Sequence, residues 1–354
     1  ALDHLRMQAL QARKHEELGA DADARGDHVE PDFVDALDAA RADDIGDDLL
    51  RLIFAACHPV LPREAQTALT LKLLGGLSTP EIARAYVVPE ATMAQRIVRA
   101  KKSLSQAAVP FSVPQGAERL NRLAAVLEVI YLIFNEGYAA TSGAEWTRPA
   151  LCEEALRLAR MLAGILPQEP EAHGLQALLE IQASRLRARI DTEGRPVLLM
   201  DQDRARWDRL LIDRGLAALD RAHALDRPLG AYGLQAAIAA CHGCAAVPQA
   251  TDWHAIVSLY DKLVECVPSP VIELNRSVAI GMAYGPEAAL PLVEALAAEP
   301  AMQRYGLLHA VHGDLLDRLG LAAEACKAFE RAAGLASNEQ DAALMRRRAD
   351  RLRA

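Results

Sequence analysis

Aromatic residues make up only 4% of this 354-residue chain. That scarcity, set beside heavy use of Ala, Leu and Arg, leaves little to build strands from and favours helices. No stretch approaches ~18 uninterrupted apolar residues, so no membrane-spanning helix is expected. The front end also lacks the basic-then-apolar pattern of a secretory signal, and the chain is read as cytoplasmic. There is no Gly-rich phosphate loop and no nucleophile set beside a base, so neither catalysis nor a cofactor is expected. Cysteines are few and scattered, at Cys57, Cys152, Cys241, Cys244, Cys266 and Cys326. Most fall inside helix-like runs, which argues for small core residues rather than a disulfide framework.

What is present fits a soluble globular protein, with 51% hydrophobic and 25% charged residues. The length exceeds what one ordinary core supports, so two or three domains are expected. A net charge of -9 looks wrong for a nucleic-acid binder until it is located. Between Asp21 and Asp48 acids far outnumber Arg25 and Arg41, and the remainder of the chain is near neutral. A small basic face can therefore sit in an acidic chain.

Residues 1–18 read as the end of a helix, with Leu2, Leu5, Ala9 and Leu10 on one side. The helix has no visible beginning, and a preceding domain is expected. Residues 19–46, acidic and poor in large apolar groups, read as a linker; a sharper alternative is that the carboxylates mimic phosphates and restrain DNA binding. From residue 47 to 105 comes a compact set of helices. One stripe, Leu49, Leu52, Ile53 and Ala56, ends at His58-Pro59, and a second helix ends at Gly75-Gly76. A short third helix opens with the capping-box order Ser78-x-x-Glu81, and a fourth runs from Glu90 to about Leu104. After a linker at 106–117, residues 118–354 read as almost wholly helical. There the turn at Tyr284-Gly285-Pro286 recurs at Leu319-Gly320-Leu321, an offset of 35 residues. This is close to the ~34-residue tetratricopeptide period. The segment 189–203, with Gly194-Arg195-Pro196, reads as an insertion in the array.

At 100° per residue the fourth helix separates into two faces. Met93, Ile97, Ala100 and Leu104 form one and are expected to pack on the preceding helices. Thr92, Gln95, Arg96, Arg99 and Lys102 cluster on another, with Lys101 to the side. Residues 78–105 carry a local charge of +3. Such an amphipathic helix is either a solvated basic face or, after a short capped helix and tight turn, the second helix of a helix-turn-helix. In the second case Arg suits guanine, Gln adenine and the Thr methyl thymine, and Lys101 suits a phosphate.

The runs Leu77-Ser78-Thr79-Pro80-Glu81-Ile82-Ala83 and Val88-Pro89-Glu90-Ala91-Thr92-Met93-Ala94-Gln95-Arg96-Ile97-Val98-Arg99-Ala100-Lys101-Lys102 resemble sigma region 4 of extracytoplasmic-function (ECF) RNA polymerase sigma factors. The resemblance implies reading of the -35 promoter element and contact with the beta-flap of core RNA polymerase. Ala1-Leu2-Asp3-His4-Leu5-Arg6 is similar to the trailing end of region 2. Many relatives carry a basic residue where this chain has Ala94, which leaves Gln95, Arg96 and Arg99 as the foremost base contacts. Further back, Asn135-Glu136-Gly137-Tyr138, Leu199-Met200-Asp201-Gln202-Asp203-Arg204-Ala205-Arg206-Trp207-Asp208 and Ser269-Pro270-Val271-Ile272-Glu273-Leu274-Asn275-Arg276 resemble the subgroup with a C-terminal tetratricopeptide-like (TPR-like) domain, often called ECF42.

The expected architecture is all-α, a helix-turn-helix followed by a TPR-like array, and the expected partners are promoter DNA and core polymerase. Asp201, Gln202, Asp203, Arg204 and Trp207 are either a helix cap with its salt bridges, Asp203 capping a helix that starts at Arg204, or a docking surface. Asn275 and Arg276 are candidates for a groove that takes a peptide or protein ligand. Cys241-His242-Gly243-Cys244 has the gap of a zinc half-site but no second pair, so buried small residues are expected and no metal. His309, His312 and Asp314 are expected to pack between repeats. A rival function is a stand-alone TPR-sensor regulator that binds DNA without joining polymerase.

Overall fold

A computed structural model describes residues 45–74, 77–86, 88–109, 112, 114, 116–139, 147–336 and 339–353. The expected tail of region 2 and residues 19–44 of the acidic linker lie outside the described residues, whereas Ile45 and Gly46 belong to the first helix. Every regular element described is helical, with a single isolated bridge between Ile190 and Pro196. Helix–helix packing is what a chain rich in Ala and Leu and poor in aromatics can build. None of the described helices is long and apolar enough to cross a membrane. Packing divides the chain into two units, Ala1–Val129 and Ile130–Ala354.

In the first unit α1 (Ile45–Ala56), α2 (Arg63–Leu73), α3 (Thr79–Ala85) and α4 (Glu90–Gln106) are followed by the start of α5 (Gly116–Tyr138). Ile53, Phe54, Leu69, Leu71, Ile82 and Met93 are fully buried between these helices. The α1–α2 turn at His58-Pro59 is held by the buried Gln66, whose amide donates to His58 O at 3.0 Å and Leu61 O at 2.9 Å. The α3–α4 turn is closed by Val88 N donating to Ala83 O at 3.0 Å. Ser78 directly precedes α3 as expected, while the Glu81 side chain lies outside the described residues.

In the second unit the rest of α5 is followed by α6 (Pro149–Ile165), α7 (Pro170–Ala183), α8 (Arg209–Ala224), α9 (Ala231–Cys244), α10 (Trp253–Cys266), α11 (Pro270–Tyr284), α12 (Pro286–Ala298), α13 (Gly306–Arg318), α14 (Ala322–Leu335) and α15 (Glu339–Arg351). From α9 onward each helix packs on the next. The core is correspondingly a string of linked clusters. Leu234 and Ile238 of α9 meet Ile256 of α10; Leu274 of α11 meets Val293 of α12 and Leu315 of α13; Leu316 meets Phe329 of α14 and Ala349 of α15. Repeat-like proteins are built this way, each unit completing the core of its neighbour. Gly285 and Gly320, the two glycines of the recurring turn, both sit at positive φ, +100° and +76°. A side chain at either would be strained.

Helix α7 ends at Ala183, and a 3-10 turn follows at Leu186–Ala188. The helix expected to start at Arg204 begins instead at Arg209, because Arg204–Arg206 form a 3-10 turn and Trp207 is extended at φ -73°, ψ 136°. Two cysteines are also not core residues: Cys244 and Cys266 are exposed, whereas Cys57, Cys152 and Cys326 are buried.

Gly137 shows why the end of α5 has the residues it does. A Cβ there would lie 2.7 Å from Cys152 N and 2.9 Å from Arg148 O. The bare backbone lets Arg148 N donate to Gly137 O at 2.7 Å, while the Arg148 side chain pairs with the buried Glu136. Gly137→Ala forces these backbones apart, and a loss of about 1–3 kcal/mol is expected from overpacking. Equilibrium urea unfolding of the two proteins measures it.

Candidate nucleic-acid interface and a buried arginine cluster

Helix α4 starts at Pro89, whose carbonyl accepts from Met93 N at 3.1 Å, and Glu90 in its first turn suits the positive end of the helix dipole. Met93, Ile97, Ala100 and Leu104 are its buried residues, the face expected from the helical wheel. They pack on α2 and α3. Apolar anchoring on that side presents the opposite one to solvent: Thr92, Gln95, Arg99 and Lys102 are exposed, and Arg96 and Lys101 are half-buried. Thr92, Gln95, Arg96 and Arg99 therefore lie along one accessible stripe. A row of donors and a methyl on an exposed helix can enter a major groove and pair with base edges.

The seven residues expected at a partner surface separate in the structure. Gln202, Arg204 and Trp207 are buried, at 5%, 4% and 3% exposure. They lie mostly inside and fasten the 189–208 segment to the helices. Asp208 N donates to Ser184 O at 2.9 Å, and the Arg204 guanidinium donates to His242 O at 2.8 Å, Ala245 O at 2.6 Å and Thr251 Oγ1 at 3.0 Å. Asp203 accepts from Ala205 N at 2.9 Å, capping the short turn at Arg204, and Asp208 caps α8 through Leu211 N. Asp201 and Asp203 are exposed. Asn275 is exposed on α11, while Arg276 is tied to Asp261 at 2.7 Å and Glu273 at 3.4 Å.

Around Trp207 the structure assembles residues that sequence reading did not connect. Arg185 lies between two rings, 5.8 Å from Trp207 and 5.9 Å from Tyr138, with Arg189 at 3.6 Å over Tyr138 and Arg204 at 4.9 Å from Trp207. Guanidinium–aromatic stacking of this kind is worth roughly 0.5–2 kcal/mol per pair. The available signal was Arg185, Arg187 and Arg189 in a run that holds no acid between Glu180 and Asp191. His242 joins the cluster through its carbonyl, which accepts from Arg204, and its ring meets Trp253 edge-on with centroids 5.1 Å apart. No group of three or more metal-ligating side chains exists among the described residues. His309 is buried with its Nε2 3.0 Å from Gln303 O and 3.1 Å from Arg331 Nε, and Asp314 pairs with Arg348.

Burial, then the nearby Arg185 and Arg204, hold His242 down from 6.5 to about 4. It is neutral in the folded chain at pH 7. Because the unfolded chain takes up this proton first, the stability contribution is complete above about 6.5 and is lost as the pH falls to about 4. At ~1.4 kcal/mol per pH unit, roughly 3 kcal/mol is at stake. Urea unfolding at pH 7, 6 and 5 is expected to show a shallower decline for His242→Gln than for the unsubstituted chain; equal slopes would contradict the assignment.

Comparison with known proteins bears on both places. Residues 51–104, spanning most of α1 through α4, match the family described as Sigma-70, region 4. Residues 122–223 match a family of unknown function, DUF6596, and contain Tyr138, Arg185, Arg204 and Trp207. The chain is 47% identical over 354 residues to Uncharacterized protein R00370 of Rhizobium meliloti (strain 1021), an alignment covering 100% of this chain and 81% of that protein. The region 4 match supports sigma-factor-like promoter recognition by those residues. The chain therefore belongs to the family of that Rhizobium meliloti protein, and residues 51–104 of this chain match region 4 of sigma-70.

Proposed function

We propose that the protein is a sigma factor of the ECF type, in the subgroup with a TPR-like extension, and that it directs RNA polymerase to specific promoters. In this reading region 4 occupies residues 47–105 and the regulatory array residues 118–354, with 1–18 as the tail of region 2 and 19–46 and 106–117 as linkers. The observation that carries it is the exposed stripe of α4 within the region 4 match, its other face buried against α2 and α3. Gln95, Arg96 and Arg99 contact base edges of the -35 element, and Thr92 meets a thymine methyl. Lys102 lies on the same face, and Lys101 serves a phosphate. The beta-flap of core polymerase is the protein partner of region 4. The covalently attached array takes the place of a separate sensor, and a peptide or protein is its ligand class. The recurring glycine turns at Gly285 and Gly320 support the repeat reading.

Arg96→Ala and Arg99→Ala are each expected to weaken use of a promoter selected by the unsubstituted chain by about 1–3 kcal/mol per lost base contact. Lys101→Ala should lower affinity uniformly across sequences and reduce the salt slope by about 1. In vitro transcription and anisotropy titrations at several salt concentrations read both. Unchanged output from both arginine variants would remove α4 as the reading helix.

Binding of the full chain to core polymerase is expected to depend on the flap tip of the beta subunit. Titration against core enzyme with and without that tip measures this. Promoter binding retained with no affinity for either core enzyme would favour a stand-alone regulator instead.

A further inference from the structure

The arginine–aromatic cluster of the second unit holds more positive charge and more hydrogen-bond donors than its described surroundings answer. Arg185 and Arg204 appear in no ion pair with a described carboxylate. The Arg204 donors that are satisfied go to two carbonyls and a hydroxyl, and an Arg185 amino group goes to the Gln182 amide oxygen. All of these acceptors are neutral. Four buried nitrogens in the same neighbourhood have no partner at all: Nε of Arg185, Nε of Arg204, Nε1 of Trp207 and Nδ1 of His242. Trp207 and Arg204 are themselves more than nine-tenths buried. They are one neighbourhood because both guanidiniums stack on the Trp207 ring and Arg204 also grips the His242 carbonyl. Buried polar groups are ordinarily satisfied, and buried charges ordinarily paired. Two cations and an indole N–H around one spot lack the same thing, an anionic acceptor.

One member of the cluster, Trp207, borders open space. Trp207 lines an open pocket of about 580 Å³, together with Arg187, Arg206 and the Ile190–Asp191 turn. Of the two acids in that wall, Asp191 is paired with Arg195 and Asp208 caps a helix. Asp191 accepts from Arg195 and from the amides of residues 193 and 195, and Asp208 accepts from Leu211 N. Arg187 and Arg206 are the cations of that wall, and Arg206 donates to Ile190 O and Arg187 O.

We propose that Arg185, Arg204, Trp207 and His242 form a binding site for a small oxyanion-bearing ligand, a carboxylate or a phosphoryl group, beside the pocket that Trp207 lines. The planar guanidiniums donate to its oxygens, as guanidinium forks do to carboxylate and phosphate elsewhere. The indole N–H and the neutral imidazole complete the ring of polar contacts. Both sources of oxyanion share this chemistry and differ in shape and charge. The site stands independently of promoter reading, since it rests on the second unit alone.

The test is a calorimetric titration of the full chain with inorganic phosphate and, separately, with succinate, at ionic strength held constant with NaCl, followed in parallel by tryptophan fluorescence. One of the two anions is expected to bind saturably with one site per chain and to perturb the fluorescence of Trp207 in a chain carrying Trp146→Phe and Trp253→Phe. Phosphate alone identifies a phosphoryl ligand, and succinate alone a carboxylate. Arg185→Met is expected to weaken that binding at least tenfold. Trp207→Phe keeps the ring and removes only the N–H donor, so it guards against a variant that simply fails to fold, and a weakening of several fold is expected. Binding of neither anion would mean that solvent satisfies these donors and would overturn the proposal. So would binding that neither variant weakens.

Discussion

The carbonyls that end a helix have no partner within it, and the second unit depends on how those of α9 are answered. The Arg204 guanidinium reaches His242 O and Ala245 O at that terminus, and Thr251 Oγ1 beyond it. A cation there satisfies orphan acceptors and sits at the negative end of the helix dipole. The same bonds draw the 204–207 segment inward, which buries Trp207 against Ile212 and Ala188. Trp207 in turn provides the ring on which Arg185 stacks, and Arg185 and Arg189 reach the end of α5 through Tyr138. Arg204, Trp207 and Arg185 together thus tie the 189–208 segment to the ends of α5 and α9, with no strand or disulfide among the described residues.

The same residue type is used in opposite ways in the two units. On α4 the arginines stand on a face whose reverse side is anchored by Met93, Ile97, Ala100 and Leu104, so their guanidiniums stay available to an outside acceptor. In the second unit Arg204 is 4% exposed and is bonded to backbone and hydroxyl oxygens. Burial lowers the pKa of Arg204, and Arg185 and Arg209 lower it further. Arginine tolerates this because it keeps its proton and presents a planar fork that stacks on aromatics while bonding in its plane. Lysine would do neither.

Other helix contacts follow a simpler rule of small residues and capping acids. Gly174 lies so close to α9 that a Cβ would meet Gly233 N at 2.6 Å. That closeness lets the Glu171 carboxylate accept from Tyr232 N and Gly233 N, at 2.9 and 3.0 Å, at the start of α9. Glu180, fully buried, is answered by both arms of the Arg160 fork at 2.6 and 2.8 Å. Charge inside this unit is mostly paired in this manner, which sets the Arg185–Arg204 neighbourhood apart.

Much of the molecule was legible in the sequence because helices are local objects. The 3.6-residue period of apolar side chains located nearly every element and set the buried face of α4 residue by residue. Gly285 and Gly320 marked turns whose backbone only glycine adopts easily. Local pattern erred where a tertiary contact competed with helix propensity. Arg204–Trp207 left the expected helix because the Arg204 bonds and the burial of Trp207 outweigh one more helical turn. The meeting of Tyr138, Arg185, Trp207 and His242 was decided only by the tertiary structure. These residues are far apart in the chain, and periodicity carries information only over a few turns. Their partners across that distance are set by which helices stack on which.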